Sequence, residues 1–245
     1  MNEFTNFANR DVNNLNFVTY KTQKPFLYFP FANVTTTDLT GDSVFAYGGQ
    51  GHPKRVGFNG DRGGTLKIDT QMQSAKLYSL ITGADIQKTA KWLKRVEVVA
   101  TGSGITLDDT PIDKSVNVYY IDDDCGTPIE VTTSGKTITG DGITADKEFV
   151  VYYQTELKNV QNISIKSTTF PKAFTVYGDT WDKTEDDEII AQKMIAYKVQ
   201  PQNNFTVTHS NNGDPATISI TCDLLSDGKN NMLDLIFEDD NTTTK

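Results

Sequence analysis

The stretch Arg55-Val-Gly-Phe-Asn-Gly-Asp-Arg-Gly-Gly-Thr-Leu-Lys-Ile-Asp-Thr-Gln-Met72 decides how this chain folds. In its second half Leu66, Ile68, Thr70 and Met72 fall on one side of an extended backbone, and Lys67, Asp69 and Gln71 on the other. A period of two is what a half-buried strand requires. The pairs Asn59-Gly60 and Gly63-Gly64 can take the positive φ angles of a tight turn. The stretch therefore predicts a hairpin with strands at 55–58 and 65–72 and a turn at 59–64. Directly after it, Ser74 is placed to cap a short helix whose Leu77, Leu80 and Ile81 share one stripe, and Gly83 is placed to stop it.

Upstream, residues 35–54 are dominated by Gly, Asp and Asn around Gly48-Gly49-Gln50-Gly51, and read as a long loop. Residues 1–24 are polar with scattered aromatics (Phe4, Phe7, Phe17, Tyr20). The next run, Pro25 to Phe31, holds Phe29 and Phe31 and is bracketed by prolines. Proline cannot donate to a ladder, so this run suits an edge or an extended arm. Residues 1–31 together read as an N-terminal arm that gains structure by packing on something else.

Downstream, Ile86–Lys94 reads as another helical turn or a loop, with strand resuming at Val96–Ala100. From 101 to 155 short strands (116–121, 128–131, 136–139, 148–153) alternate with turns every eight to twelve residues. That rhythm suggests a small β-sandwich or Ig-like module. It also carries ten acidic and three basic residues, so −7 of the total charge of −9 belongs to it. The expectation is a β domain of residues 1–100 and 156–245 with an inserted acidic β module at 101–155. Longer strands are expected at 162–167, 173–177, 189–200, 204–209, 217–224 and 233–237. The strand at 189–200 has no cleanly apolar face, as expected where a second subunit covers part of it. The fold class is mostly β with one short flanking helix.

Composition narrows the function. A net charge of −9 does not suit a reader of nucleic acid that grips phosphates. The N-terminus lacks the basic and apolar regions of a secretory signal, and no 18 apolar residues run together. Folding in a cytoplasm is expected. Cys125 and Cys222 have no metal-ligand spacing, and free thiols in a reducing compartment are favoured over a disulfide.

Catalytic and cofactor chemistry finds little support. The two histidines, His52 and His209, cannot readily supply a zinc site or proton relay, and there is no GxSxG elbow. The Gly48–His52 and Asn59–Gly64 runs lack the GxxxxGK[ST] pattern of a phosphate cradle. Asp122-Asp123-Asp124 and Asp182–Glu188 lack the spacing of an EF-hand. Trp92 and Trp181 suit core or interface packing better than sugar stacking. No enzyme, cofactor or metal is expected.

The run Arg55–Met72, followed by Ser74-Ala-Lys-Leu-Tyr-Ser-Leu-Ile-Thr-Gly-Ala84, resembles the major tail (tail tube) proteins of tailed bacteriophages. There a hairpin of the form G…G.L.I.TQ precedes a helix …LYSLITGA. The module ending Glu148-Phe-Val-Val-Tyr-Tyr-Gln-Thr155 is similar to small β modules that some of these proteins carry. The pattern covers residues 55–155; the rest matches in rhythm only. The resemblance implies a β-sandwich or barrel protomer that forms hexameric rings, stacked into a hollow virion tube assembled in the host cytoplasm. Partners would be further copies, with tape-measure and terminator or baseplate proteins, and DNA only as passing cargo. Interface residues would include Phe4, Phe7, Phe17, Tyr20, Phe29, Phe31, Gly49 and Gly51. Asp182, Glu185, Asp186, Asp187 and Glu188 would be an acidic lining of the bore. Alternatives are a capsid decoration or head–tail connector protein, and a carbohydrate-binding or adhesin β-sandwich.

Overall fold

A computed structural model of the chain describes residues 6–209, 211 and 213–239. The fold is mostly β, as expected, with one α-helix. In chain order its elements are β1 (Phe7–Asn9), β2 (Asn14–Thr19), β3 (Pro25–Phe29), β4 (Val34–Tyr47), β5 (Lys54–Thr70) and α1 (Ala75–Thr82). There follow β6 (Ile86–Val99), β7 (Gly104–Thr106), β8 (Asn117–Tyr120), β9 (Thr132–Ser134), β10 (Thr137–Thr139) and β11 (Glu148–Ile163). The last four are β12 (Phe174–Thr184), β13 (Ile189–Pro201), β14 (Ile218–Leu225) and β15 (Leu233–Asp239). Two compact units emerge: the chain up to Asp85 with that from Ile165 onward, and Ile86–Ser164.

The first unit is one antiparallel sheet in the order β3-β2-β12-β13-β14-β5-β4. β1 extends the β2 edge of β12, and β15 shares the far edge of β13 with β14. The sheet curls. The Asn13 backbone N–H donates to Thr35 Oγ1 (3.2 Å), and the Thr37 hydroxyl reaches Met194 Sδ (3.6 Å), so β4 returns towards β13 and the start of β2. The concave side holds Leu15, Phe17, Leu66, Ile68, Val176 and Ala196, closed by Leu77, Leu80 and Ile81 of α1. The helix has the expected ends. Ser74 Oγ accepts from the Leu77 N–H (3.1 Å), and Gly83 stops it at φ 71°. Only glycine fits there, because a Cβ would stand 2.1 Å from the Phe170 carbonyl oxygen.

The hairpin lies elsewhere than expected. Residues 59–64 form no turn: β5 runs unbroken from Lys54 to Thr70, paired with β4 on both sides of an irregularity at Gly60 and Asp61. The positive φ angles fall instead on Gly49 (89°), Gly51 (87°) and His52 (48°), so the turn is at 48–53. The expected loop at 35–54 is thus mostly strand β4. Glycine permits a turn without requiring one, and these glycines pair in register with Thr40 and Leu39 (Gly63, Gly64) and Phe45 (Gly57). Residues 86–94 are neither helix nor loop but the first part of β6, and 204–209 form no strand.

The second unit holds two three-stranded sheets, β6-β11-β8 and β7-β10-β9. Its core is Ile105, Leu107, Val118, Ile138, Phe149, Val151 and Tyr153. It extends beyond 101–155 on both sides, because β11 continues to Ile163 and pairs with β6 as far back as Ile86. Pro128–Val131 makes only an isolated bridge, Ile129 to Val118. Cys125 is exposed and Cys222 buried, each free.

Candidate assembly surface

β4 and β5 form the largest feature that the first unit does not absorb. β14 binds β5 only at Thr65–Thr70, so from Lys54 to Gly64 its partner is β4 alone. The outer edge of β4 is unpaired along Val34–Tyr47 among the described residues. The two faces of this ribbon differ. On one, the Phe45 ring lies over Gly57, where a Cβ would come within 3.1 Å of it, and Lys54 Nζ is 3.9 Å from the ring centre. On the other, Val44 opposes Phe58 and Ala46 opposes Val56, with nothing above them. Val44 is 66%, Phe58 59% and Val56 51% exposed. At the tip Arg55 Nε donates to the Gly48 carbonyl (3.1 Å), which orders the Gly49–Gly51 turn.

Sequence reading passed over Val44, Val56 and Phe58. Their signal, alternation across 44–46 and 56–58, is present but cut short by Gly57 and the Asn-Gly run. A second exposed group lies on the convex face of the sheet, where Tyr28, Tyr177, Trp181 and Ile189 are each 40% exposed or more. Trp181 thus lies at the surface, its indole N–H donating to Asp11 Oδ2 (2.9 Å). Burial alternates along β13. Ile190, Met194 and Ala196 are buried on one face, while Ile189 and Lys193 are exposed on the other.

The expected interface residues separate. Phe4 lies outside the described residues. Phe7 is exposed on β1, its ring 5.1 Å from that of Phe237. Phe31 is exposed, and Gly49 and Gly51 lie in the ribbon turn. Phe17 and Phe29 are corrected: 2% and 3% exposed, they belong to the protomer's own core, since β2 and β3 are strands of its sheet rather than a loose arm. Tyr20 is half-buried and donates to the Asp227 carbonyl (2.9 Å).

The acidic cluster separates too. Glu185, Asp186, Asp187 and Glu188 are exposed in the β12–β13 turn, where Asp187 pairs with Lys183. Asp182 is not part of any lining. It is 1% exposed, and its Oδ1 accepts from Asn9 Nδ2 (2.8 Å). The alternation of β12 turns it inward while Lys183 faces out.

In the second unit charge is paired at the surface. Lys94 bonds Asp109, and Arg95 grips Asp124 (2.8 Å) and Glu97 (2.7 Å). Lys94 and Arg95 hold the carboxyls of Asp109 and Asp124 below their ordinary value. The Tyr152 hydroxyl, beside the Cys125 thiol, partly desolvated and next to Asp124, is pushed up to about 12. Among the described residues no three His, Cys, Asp or Glu side chains are grouped to hold a metal ion. Among the same residues no helix is long and apolar enough to cross a membrane.

The YomU/Tube protein family matches this chain over residues 9–235. No curated protein matches it. The match spans both units and bears out the resemblance to phage tail tube proteins first seen in residues 55–84.

Proposed function

The chain belongs to the YomU/Tube protein family, and from that premise we propose that it is a non-catalytic tail tube subunit forming closed, hexameric rings that stack into a hollow virion tube. The observation that carries this reading is the β4–β5 ribbon. A two-stranded ribbon is marginal by itself in water, and an unpaired strand edge is a template for another chain. This ribbon has both a 14-residue free edge and an uncovered row of Val44, Val56 and Phe58. Closure of a ring removes the free edges that an open array would keep.

DNA would pass through the bore without being held, which requires a lining that does not grip phosphates. The exposed turn Glu185–Glu188, without buried Asp182, is the acidic surface assigned to the lumen. Partners beyond further copies would be tape-measure and terminator or baseplate proteins, with assembly in the host cytoplasm. Residues 86–164 would be an insertion not needed for ring closure. Negative-stain microscopy of the purified protein, with light scattering, tests the reading. Rings or hollow tubes are expected; a monodisperse monomer at all concentrations overturns it.

A further inference from the structure

We propose that the edge of β12 from Thr180 to Thr184 is a strand-acceptor site which, in the assembled state, takes the N-terminal strand of a second copy in place of its own. The inference rests on the self-assembly reading above.

β1 and β2 lie end to end along one edge of β12. Asn14 stands opposite Asp179 and Asn9 opposite Asp182, so residues 10–13 span what Thr180 and Trp181 cover on β12. The surplus bulges out, and those two residues have no cross-strand partner on that edge. β1 itself buries none of its three residues. Besides the contact of the Phe7 ring with Phe237, its side-chain attachment is polar. Asn9 Nδ2 lies within reach of Asp182 Oδ1 (2.8 Å), the Trp181 carbonyl (3.1 Å) and Thr180 Oγ1 (3.3 Å). One amide with two hydrogens thus serves three acceptors.

The site is under-filled by its own arm. Asp182 is almost wholly buried, yet among the described residues its Oδ2 has no hydrogen-bond donor. A buried carboxylate oxygen left without a donor is costly. In the bulge, residues 10–13 stand out of register with the β12 edge. A strand arriving from another copy is tied through those four residues to the β2 of its own protomer, not to the β2 beside this edge. It can run straight past Asn9 and pair with Trp181 and Thr180. The contacts of β1 are otherwise remade with the same residues, so exchange forfeits none of them. In an assembly the neighbouring arm is also present at the effective concentration of a tethered ligand.

Two single variants in a Cys125→Ser background test this: Ala8→Cys and Lys183→Cys. These residues are directly opposite across β1 and β12, and both are exposed, so neither change disturbs the core. The two chains are mixed, assembled, oxidised and run on a non-reducing gel. Exchange shifts a large part of the assembled material to a covalent dimer, which dilute protomer does not form. The double variant, assembled alone, reports an arm bound in cis by closing an internal link. Assembled material in which the mixture stays monomeric overturns the exchange, whether or not the double variant closes, and leaves the tube reading intact. A protein that never assembles overturns both.

Discussion

Replacing Phe58 by alanine should leave the protomer nearly intact and weaken its assembly. In the protomer Phe58 is 59% exposed, and its main contact across the ribbon is Val44, itself 66% exposed. Such a cross-strand pair contributes about 0.2–1 kcal/mol. For a chain of this length about 1 kcal/mol moves the melting temperature by about 2–4 °C, so a fall of about 1–4 °C is the most expected. Full burial of a phenylalanine is worth about 1.5–3 kcal/mol. If assembly covers the 59% still open, Phe58→Ala removes about 1–2 kcal/mol per contact. At about 1.4 kcal/mol per tenfold, the critical concentration for assembly rises about 5- to 30-fold. Light scattering across a dilution series reads that concentration, and calorimetry on dilute protomer reads the melting temperature. Phe17→Ala is the contrast: at 2% exposure it should cost the protomer about 3–5 kcal/mol. The reasoning is refuted if Phe58→Ala melts as early as Phe17→Ala, or if its critical concentration stays within about twofold of the parent, a tolerance well below the expected tenfold scale.

Other outcomes follow from particular positions. Gly83→Ala should cost more than about 2 kcal/mol in denaturant unfolding, from the left-handed backbone and from displacement of Phe170. Gly51→Ala, with the same backbone sign but open space around it, should cost only about 1–2 kcal/mol. An aromatic disulfide reagent should titrate one thiol, Cys125, in the native protein, while Cys222, whose thiol burial pushes up to about 12, should react only after unfolding. Acid should loosen the second unit. Asp109 and Asp124 have folded values below the ordinary 3.8, so their ion pairs stabilise fully above that value and lose their effect as pH falls through the lower folded values. Amide exchange in β6 and β11 should therefore accelerate below about pH 4, and Asp109→Asn should flatten part of that dependence.

How far the fold was legible depended on whether the local pattern and the final partner agreed. Leu66–Met72 and Ser74–Gly83 were readable because each pattern has one physical solution: alternation against a core, and a helix closed by a serine and a left-handed glycine. The 137–139 and 148–153 strands were readable for the same reason. Ile86–Lys94 was not, because Ile86, Ala90 and Leu93 fit a helical spacing while Ile86, Ala90 and Trp92 fit a strand's. What settles it is β11, whose Lys158, Leu157 and Thr155 pair with Thr89, Ala90 and Trp92 from about 65 positions further along the chain. Asp182 was misplaced for a different reason. A charge run predicts solvent, and only the alternation of β12 shows that its first member points inward.

The ribbon is the instructive failure, because the feature that hid it is also the feature that makes it a candidate surface. Residues 35–54 look like loop and 59–64 like a turn, since Gly, Asn, Asp and Thr lend a strand little packing of their own. Within the protomer that impression is correct in energetic terms: from Gly41 to Arg62 almost every side chain is exposed, and the pairing of β4 with β5 has no third strand to support it. The apolar residues that do occur are not scattered. Val44, Ala46, Val56 and Phe58 gather on one face, while the opposite face is closed by Phe45 on Gly57 under Lys54. A segment with no use beyond joining two strands has no reason to sort its side chains in this way. A segment that finishes folding against another copy must do so, and must also keep that row too weak to collapse before the partner arrives. Weak local propensity and a sorted apolar face are therefore two sides of one requirement, and the Phe58→Ala experiment separates them: it removes part of the face and leaves the propensity of the ribbon almost unchanged.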